Sequence, residues 1–142
     1  MLAGELYSSA DPELVSLRKR ARRLCRIFNE STEEQTDHRH KLLTQLMAAV
    51  GPRVEIEPPF HCDYGFNIHA SDNLYCNFGC VFLDCAPIRI GRNVFMGPSV
   101  HLYTATHPLE PMTRARGLEL AAPITISDDV WIGGSVVVCP GV

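Results

Sequence analysis

No apolar run in this 142-residue chain approaches the roughly 20 residues that a membrane-spanning helix requires, and the N-terminus lacks the basic-then-apolar layout of a secretory leader. The expected setting is cytoplasmic, with no membrane partner. Basic residues are not in excess either. A formal net charge of -3 and a pI near 6.0 argue against a general nucleic-acid surface, and the local run Arg18-Lys19-Arg20 with Arg22-Arg23 reads as the solvated face of a helix. The six cysteines (Cys25, Cys62, Cys76, Cys80, Cys85, Cys139) form no C-x-x-C pair and are too dispersed for the framework of a small secreted domain. They read as reduced thiols packed as small apolar side chains, and since neither they nor the histidines show structural-zinc spacing, no metal is expected. Tryptophan occurs once, at Trp131. What is plentiful is apolar residue, 46% of the chain, enough for one core in a single 15.8 kDa unit.

Helical spacing is confined to the first third. Asp11-Pro12 supplies an N-cap acceptor followed by a proline where no amide donor is needed, and Leu14, Leu17, Ala21, Leu24 and Phe28 then follow as one apolar stripe that should fade near Asn29. Ser31-Thr32-Glu33-Glu34 reads as a capping box opening a second helix, with Leu42, Leu43, Leu46, Met47 and Val50 as its stripe and Gly51-Pro52 as its stop. Two such stripes need a partner surface, so residues 1–53 are expected to form a helical cap on the remainder.

From residue 54 onward the aliphatic period is six. Ile90, Met96 and Leu102 stand six apart, as do Ile126, Ile132 and Val138, and small or turn-forming residues such as Gly91, Asn93, Gly97, Pro98, Ser99, Asp128, Gly134 and Ser135 lie between them. Six fits neither the 3.6 of a helix nor plain strand alternation, so the stretch reads as a solenoid of short strands whose small residues turn the corners. Ile90 to Ile126 is 36 residues, a multiple of six, so residues 104–122 are expected to be a loop extruded from a continuous coil. Ile68, Leu74 and Cys80 form an earlier coil. The step from Cys80 to Ile90 is ten, which reads as a phase slip of four near Asp84–Pro87, an irregular corner of the kind that often carries function.

Isoleucine-glycine hexads joined in order by NFGCVFLD at Asn77–Asp84, IRIG, HLYTATHPLEP at His101–Pro111 and PITISDDVWIGG at Pro123–Gly134, after an opening MLAGELY and DPEL, resemble the maltose and galactoside O-acetyltransferases over nearly the whole chain. The resemblance implies a mainly β fold, a left-handed parallel β-helix over residues 54–142 behind the N-terminal helical cap. It also implies transfer of an acetyl group from acetyl-CoA to a sugar hydroxyl in a cytoplasmic homotrimer whose sites lie in clefts between subunits. The family continues for further hexads and a tail beyond the position of Val142, so the β-helix is expected to be truncated at its C-terminal end, with part of the CoA grip outside it.

By the same resemblance His107, in the Thr106-His107-Pro108 motif of the extruded loop, is the general base. An imidazole titrating near neutrality can take the proton of a hydroxyl that is otherwise too weak a nucleophile. The oxygen then attacks the thioester directly, and a coil N–H, at Gly134 or Ser135, would stabilise the oxyanion. Asn77 is implied beside the reaction centre and Asp84 among the sugar contacts, although either could equally cap its own turn. Galactoside-type members carry an acid where this chain has Cys85, which leans the acceptor toward the maltose and glucose type. Arg18 is expected either to reach the sugar from the first helix or to be a solvated helix charge. Tyr75 and Glu119 are further pocket candidates, and Trp131 either lines the thioester groove or simply packs. His38, His40, His61, His69 and His101 read as solvent or packing residues.

Two other classes use the same kind of coil. A zinc-dependent lyase of the gamma-carbonic-anhydrase type would need three imidazoles from two subunits, for which His101 and His107 are the available pair. A non-catalytic trimeric scaffold would need no site at all.

Overall fold

A computed structural model describes residues 1–142. A short strand β1 (Tyr7–Ser8) precedes helices α1 (Pro12–Asn29) and α2 (Thr36–Leu46), after which the chain winds through four coils. Coil one holds β2 (Ala49–Val50), β3 (Glu55–Ile56) and β4 (His61–Cys62). Coil two holds β5 (Ile68–Ala70), β6 (Tyr75–Cys76) and β7 (Val81–Leu83), and coil three β8 (Ile88–Ile90), β9 (Phe95–Met96) and β10 (His101–Tyr103). An excursion carries β11 (Ala105–Thr106), α3 (Pro111–Ala115) and β12 (Leu118–Ala121), and coil four holds β13 (Ile124–Ile126), β14 (Trp131–Ile132) and β15 (Val137–Val138). Stacking makes three flat parallel sheets: face one is β2-β5-β8-β13, face two β3-β6-β9-β14 and face three β4-β7-β10-β15. This is the triangular prism of a left-handed β-helix.

The inward residues come in pairs two apart, because alternate strand residues point to opposite sides. Ile68 and Ala70, Leu74 and Cys76, Cys80 and Phe82, Ile88 and Ile90, Val94 and Met96, and Val100 and Leu102 are all buried in one core. Two interleaved tracks therefore run at period six, and the slip expected near Asp84 compared one track with the other. Along a single track Cys80 is followed by Ile88, so the irregularity is an insertion of two residues. The same insertion recurs one coil below, between Phe60 and Ile68. The insertion makes Ile68 pair with Ile88, an offset of 20, and the excursion after β10 makes Ile88 pair with Ile124, an offset of 36.

The cap follows the expected first helix. Asp11 accepts from the Glu13 amide at 2.9 Å with Pro12 at the first helical position, and Ala21, Cys25 and Phe28 are buried against the coils. The expected capping box is not made. The Ser31 hydroxyl is spent donating to Phe28 O at 2.6 Å and accepting from Arg39 Nε at 2.8 Å, and α2 starts at Thr36 with no side-chain cap. Val50 does not belong to that helix either. Ala49–Val50 gain a parallel ladder to His69–Ala70, so coil one begins ahead of the boundary expected after residue 53.

The corner between faces one and two is regular. Asn73 Nδ2 donates to Asn93 Oδ1 at 3.0 Å and Asn93 Nδ2 to Asp129 Oδ1 at 2.7 Å, a ladder of three residues held at positive φ. No helix of the chain is long and apolar enough to cross a membrane.

Candidate active site

Both two-residue insertions, and the whole excursion, leave the prism at one edge, between faces three and one. Thr104 closes the neck of the excursion. Its carbonyl accepts from the Ala122 amide at 2.9 Å, while its hydroxyl donates to Leu83 O at 2.6 Å and accepts from the Ala86 amide at 2.9 Å. The extruded loop is thus a hairpin of β11 and β12 topped by α3, and β1 adds to it as a third, antiparallel strand through Tyr7 and Glu119. A second small core of Tyr7, Tyr64, Cys85, Ala86 and Ala121 binds loop, insertions and N-terminus together.

Asp84 holds the insertions in place. Its side chain is fully buried and accepts from the amides of Tyr64 (2.8 Å), Asp63 (3.1 Å) and Asn67 (3.3 Å), while Asn67 Nδ2 donates to Asp84 O at 2.7 Å. Burial pushes the Asp84 carboxyl up to about 7, and the amide donors oppose that rise. Asp84 is therefore bonded to the backbone of the coil below, at amides 17 to 21 residues away, and not to its own turn.

Beside it lies a cluster of polar side chains. Arg18 Nη1 donates to Tyr64 Oη at 2.8 Å and Nη2 to Ser9 O at 2.6 Å, with the guanidinium 5.7 Å from the centre of the Tyr64 ring. Arg18 is not a freely solvated helix charge. Cys85 donates to Asp63 Oδ2 at 3.5 Å and Tyr7 Oη to Glu119 Oε2 at 2.9 Å. Burial raises the Asp63 carboxyl, against the pull of the Cys85 thiol and Arg18, and pushes the Cys85 thiol up to about 12. Tyr7 is raised as well, by burial first and its contact with Cys85 second. Cys85 is thus a neutral hydrogen-bond donor. His107 follows β11 directly and is exposed, with no side-chain hydrogen bond, at the foot of α3.

Tyr7, Asp63 and Tyr64 were missed by sequence reasoning. The detectable signal was the eight-residue step from Phe60 to Ile68, which repeats the step from Cys80 to Ile88 and marks Asp63-Tyr64 as the same corner one coil lower.

The remaining candidates lie elsewhere on the prism. Asn77 sits at the edge between faces two and three, where its Oδ1 accepts from the Phe78 amide at 2.8 Å. Gly134 and Ser135 stand at that same edge two coils higher, above Gly97, where an added Cβ would meet Gly134 N at 2.5 Å. Tyr75, Phe95 and Trp131 are register neighbours pointing out of face two, with Trp131 79% exposed. The sequence candidates therefore separate into two sets: Arg18, Asp84, Cys85, His107 and Glu119 at one edge, and Tyr75, Asn77, Trp131, Gly134 and Ser135 at and beside another. His101 Nδ1 is within 2.6 Å of Tyr103 Oη, and no group of three or more His, Cys, Asp or Glu side chains is arranged to hold a metal ion.

A family model for the maltose acetyltransferase hexapeptide capping motif matches residues 1–51. Nodulation protein L of Rhizobium meliloti is 44% identical over the whole of this chain and 78% of its own length. The crystal structure of a maltose O-acetyltransferase from Clostridium difficile superposes with a TM-score of 0.97 at 41% identity, covering 99% of this chain and 75% of that one. The chain belongs to the maltose and galactoside O-acetyltransferase family of hexapeptide-repeat acyltransferases. A galactoside acetyltransferase solved in complex with coenzyme A superposes with a TM-score of 0.94 at 37% identity, covering 98% of this chain and 70% of that one. The fold expected from the hexads, a left-handed β-helix behind a helical cap, is the fold of this family.

Proposed function

We propose that this acetyltransferase moves an acetyl group from acetyl-CoA to a sugar hydroxyl of the maltose or glucose type, with His107 as general base. The observation that carries the reading is the cluster of polar side chains at the edge from which the His107 hairpin springs. There a guanidinium (Arg18), a carboxylate (Asp63), a thiol (Cys85) and the Tyr7–Glu119 pair converge at an irregular edge of an otherwise regular prism. Alternating donors and acceptors of this kind suit a polyol, whose hydroxyls each donate and accept.

In the proposed reaction a ring nitrogen of His107 takes the hydroxyl proton as the sugar oxygen attacks the thioester carbonyl. The tetrahedral oxyanion is stabilised by a coil N–H, with Gly134 and Ser135 as the candidates. Collapse then breaks the C–S bond, and the imidazolium returns its proton to the departing thiolate. Coenzyme A, held by the galactoside acetyltransferase relative and the thiol that acetyl transfer releases, supports the choice of acyl donor. The outward-facing Tyr75–Phe95–Trp131 ladder would offer the pantetheine arm or the sugar an apolar wall.

Separation of the candidates onto two edges supports a homotrimer. In a closed ring the His107 edge of one copy can meet the Asn77 edge of the next, completing a site that a single chain leaves divided. Thiol release from acetyl-CoA, followed across glucose, maltose and galactosides, tests the reading. Sugar-dependent release is the expected result, and release no faster than background with every acceptor would overturn it.

A further inference from the structure

Two thiols outside the site face each other across the joint between the cap and the coils. Cys25 lies on the buried side of α1 and Cys62 on β4 of coil one, with their sulfurs 3.7 Å apart and both residues almost fully enclosed, at 3% and 7% exposure. No acid or imidazole group completes a metal set around them. A disulfide needs sulfurs near 2.05 Å, so a closure of about 1.6 Å, within reach of side-chain rotation and a small settling of the helix, would join them. We propose that Cys25 and Cys62 are a reversible oxidation site, a pair that closes to a disulfide and clasps α1 to coil one.

The contact itself orders the chemistry. Either thiol can donate across the contact; it holds the Cys25 thiol below its ordinary value, whereas the same contact and burial raise Cys62. This favours Cys25 as the first thiol oxidised, and the same disulfide results if Cys62 reacts first. With hydrogen peroxide as oxidant, the Cys25 thiolate takes a hydroxyl from the peroxide as the O–O bond breaks, and the hydroxide released is protonated to water. Cys62 Sγ then attacks the sulfur of the resulting sulfenic acid, the S–O bond breaks, and a second water leaves with the Cys62 proton. A thiol reductant reverses the step.

Position gives the clasp a consequence. Arg18 lies two helical turns before Cys25 on α1, and Cys62 immediately precedes Asp63 and Tyr64, so the bond joins the two walls that the Arg18–Tyr64 hydrogen bond spans. This consequence rests on the acceptor pocket proposed above, whereas the covalent step does not. The other close pair, Cys76 and Cys80, is four residues apart within coil two, and the Cys80 thiol already donates to Asn77 O at 3.1 Å. Joining them would restrain one hexad and leave the cap free.

The test uses the full chain carrying Cys139→Ala, which removes the exposed thiol. It is treated with a few equivalents of peroxide, unfolded, alkylated and mapped by mass spectrometry. The expected result is a dithiothreitol-reversible crosslink between the Cys25 and Cys62 peptides in most chains, a Tm raised by about 5 °C or more, and a severalfold change in acceptor KM with acetyl-CoA KM unmoved. Cys25→Ala and Cys62→Ala should each abolish crosslink and shifts while the reduced proteins keep their fold. Full alkylation of both residues after peroxide, direct passage to sulfinic acid, or a crosslink mapping to Cys76 and Cys80 overturns the site. A crosslink at Cys25–Cys62 that leaves acceptor KM unchanged overturns its effect on the pocket.

Discussion

Tyr7 and Glu119 are joined by a hydrogen bond of 2.9 Å between the first strand of the chain and the last strand of the excursion. That bond ties the hairpin carrying His107 to the N-terminus rather than to the prism from which it springs. Replacing Tyr7 with Phe removes the bond and keeps the ring in the small core of Tyr64, Cys85 and Ala121. The expected cost is about 1 kcal/mol of stability. Amide exchange should quicken selectively between residues 105 and 121, with a severalfold drop in turnover. Unchanged protection of the hairpin would show that β1 does not restrain it.

His107 is exposed and makes no side-chain hydrogen bond, so truncating it has little to cost the fold. His107→Ala should lower kcat by about a thousandfold, in the range typical of lost general-base catalysis, with urea unfolding superimposable on the parent. A variant that still transfers acetyl groups at near-parental rate would remove His107 from the mechanism.

Arg18 holds both Tyr64 Oη and Ser9 O. Arg18→Lys keeps the charge but cannot make both bonds from one planar fork, so acceptor KM should rise about tenfold while acetyl-CoA KM stays put. Equal effects on the two constants would place Arg18 outside the acceptor pocket.

Asp84 gives a pH signature. Its carboxyl titrates near 7 in the folded chain and at the ordinary carboxylate value when unfolded, so between those values the native state holds the extra proton. Stability from the neutral group is fully present below about pH 4 and falls as pH rises toward 7, by on the order of 4 kcal/mol for this group alone. Denaturant midpoints taken across that window should slope downward in the parent and less so in Asp84→Asn. Asp84→Ala, which leaves three buried amides without an acceptor, should lose about 3 kcal/mol or more at any pH.

His107 and Asn77 lie on different edges of one prism, which sets up a complementation experiment. If sites form between neighbours, His107→Ala and Asn77→Ala chains unfolded and reassembled together at equal ratio should regain roughly a quarter of parental activity, since about one site in four then draws both intact residues. No recovery above the separate variants would mean that the two residues do not share a site across copies.

The hexad period was legible in the sequence because each inward position contributes one aliphatic side chain to a narrow core, and six residues is the distance between corners. The first helix was legible because its N-cap and proline are local. The start of α2 was not, because the Ser31 hydroxyl donates back to the end of α1 and accepts from the Arg39 side chain instead of from a helix amide. Spacing alone could not separate the two inward tracks, so a two-residue insertion looked like a slip of four. Register partners from adjacent coils decide that question, and they are 20 and 36 residues away.

By itself the sequence determined a prism with a cap and an extruded loop, and it marked His107, Arg18 and Cys85 as chemistry worth locating. Only the tertiary structure decided that Asp84 is consumed by backbone amides, that Asp63 and Tyr7 gather at Cys85, and that Asn77 belongs to another edge. The physical reason is that a coil's aliphatic code is local and repeated, whereas a site is assembled from insertions stacked one coil above another and from a terminal strand that pairs more than a hundred residues away.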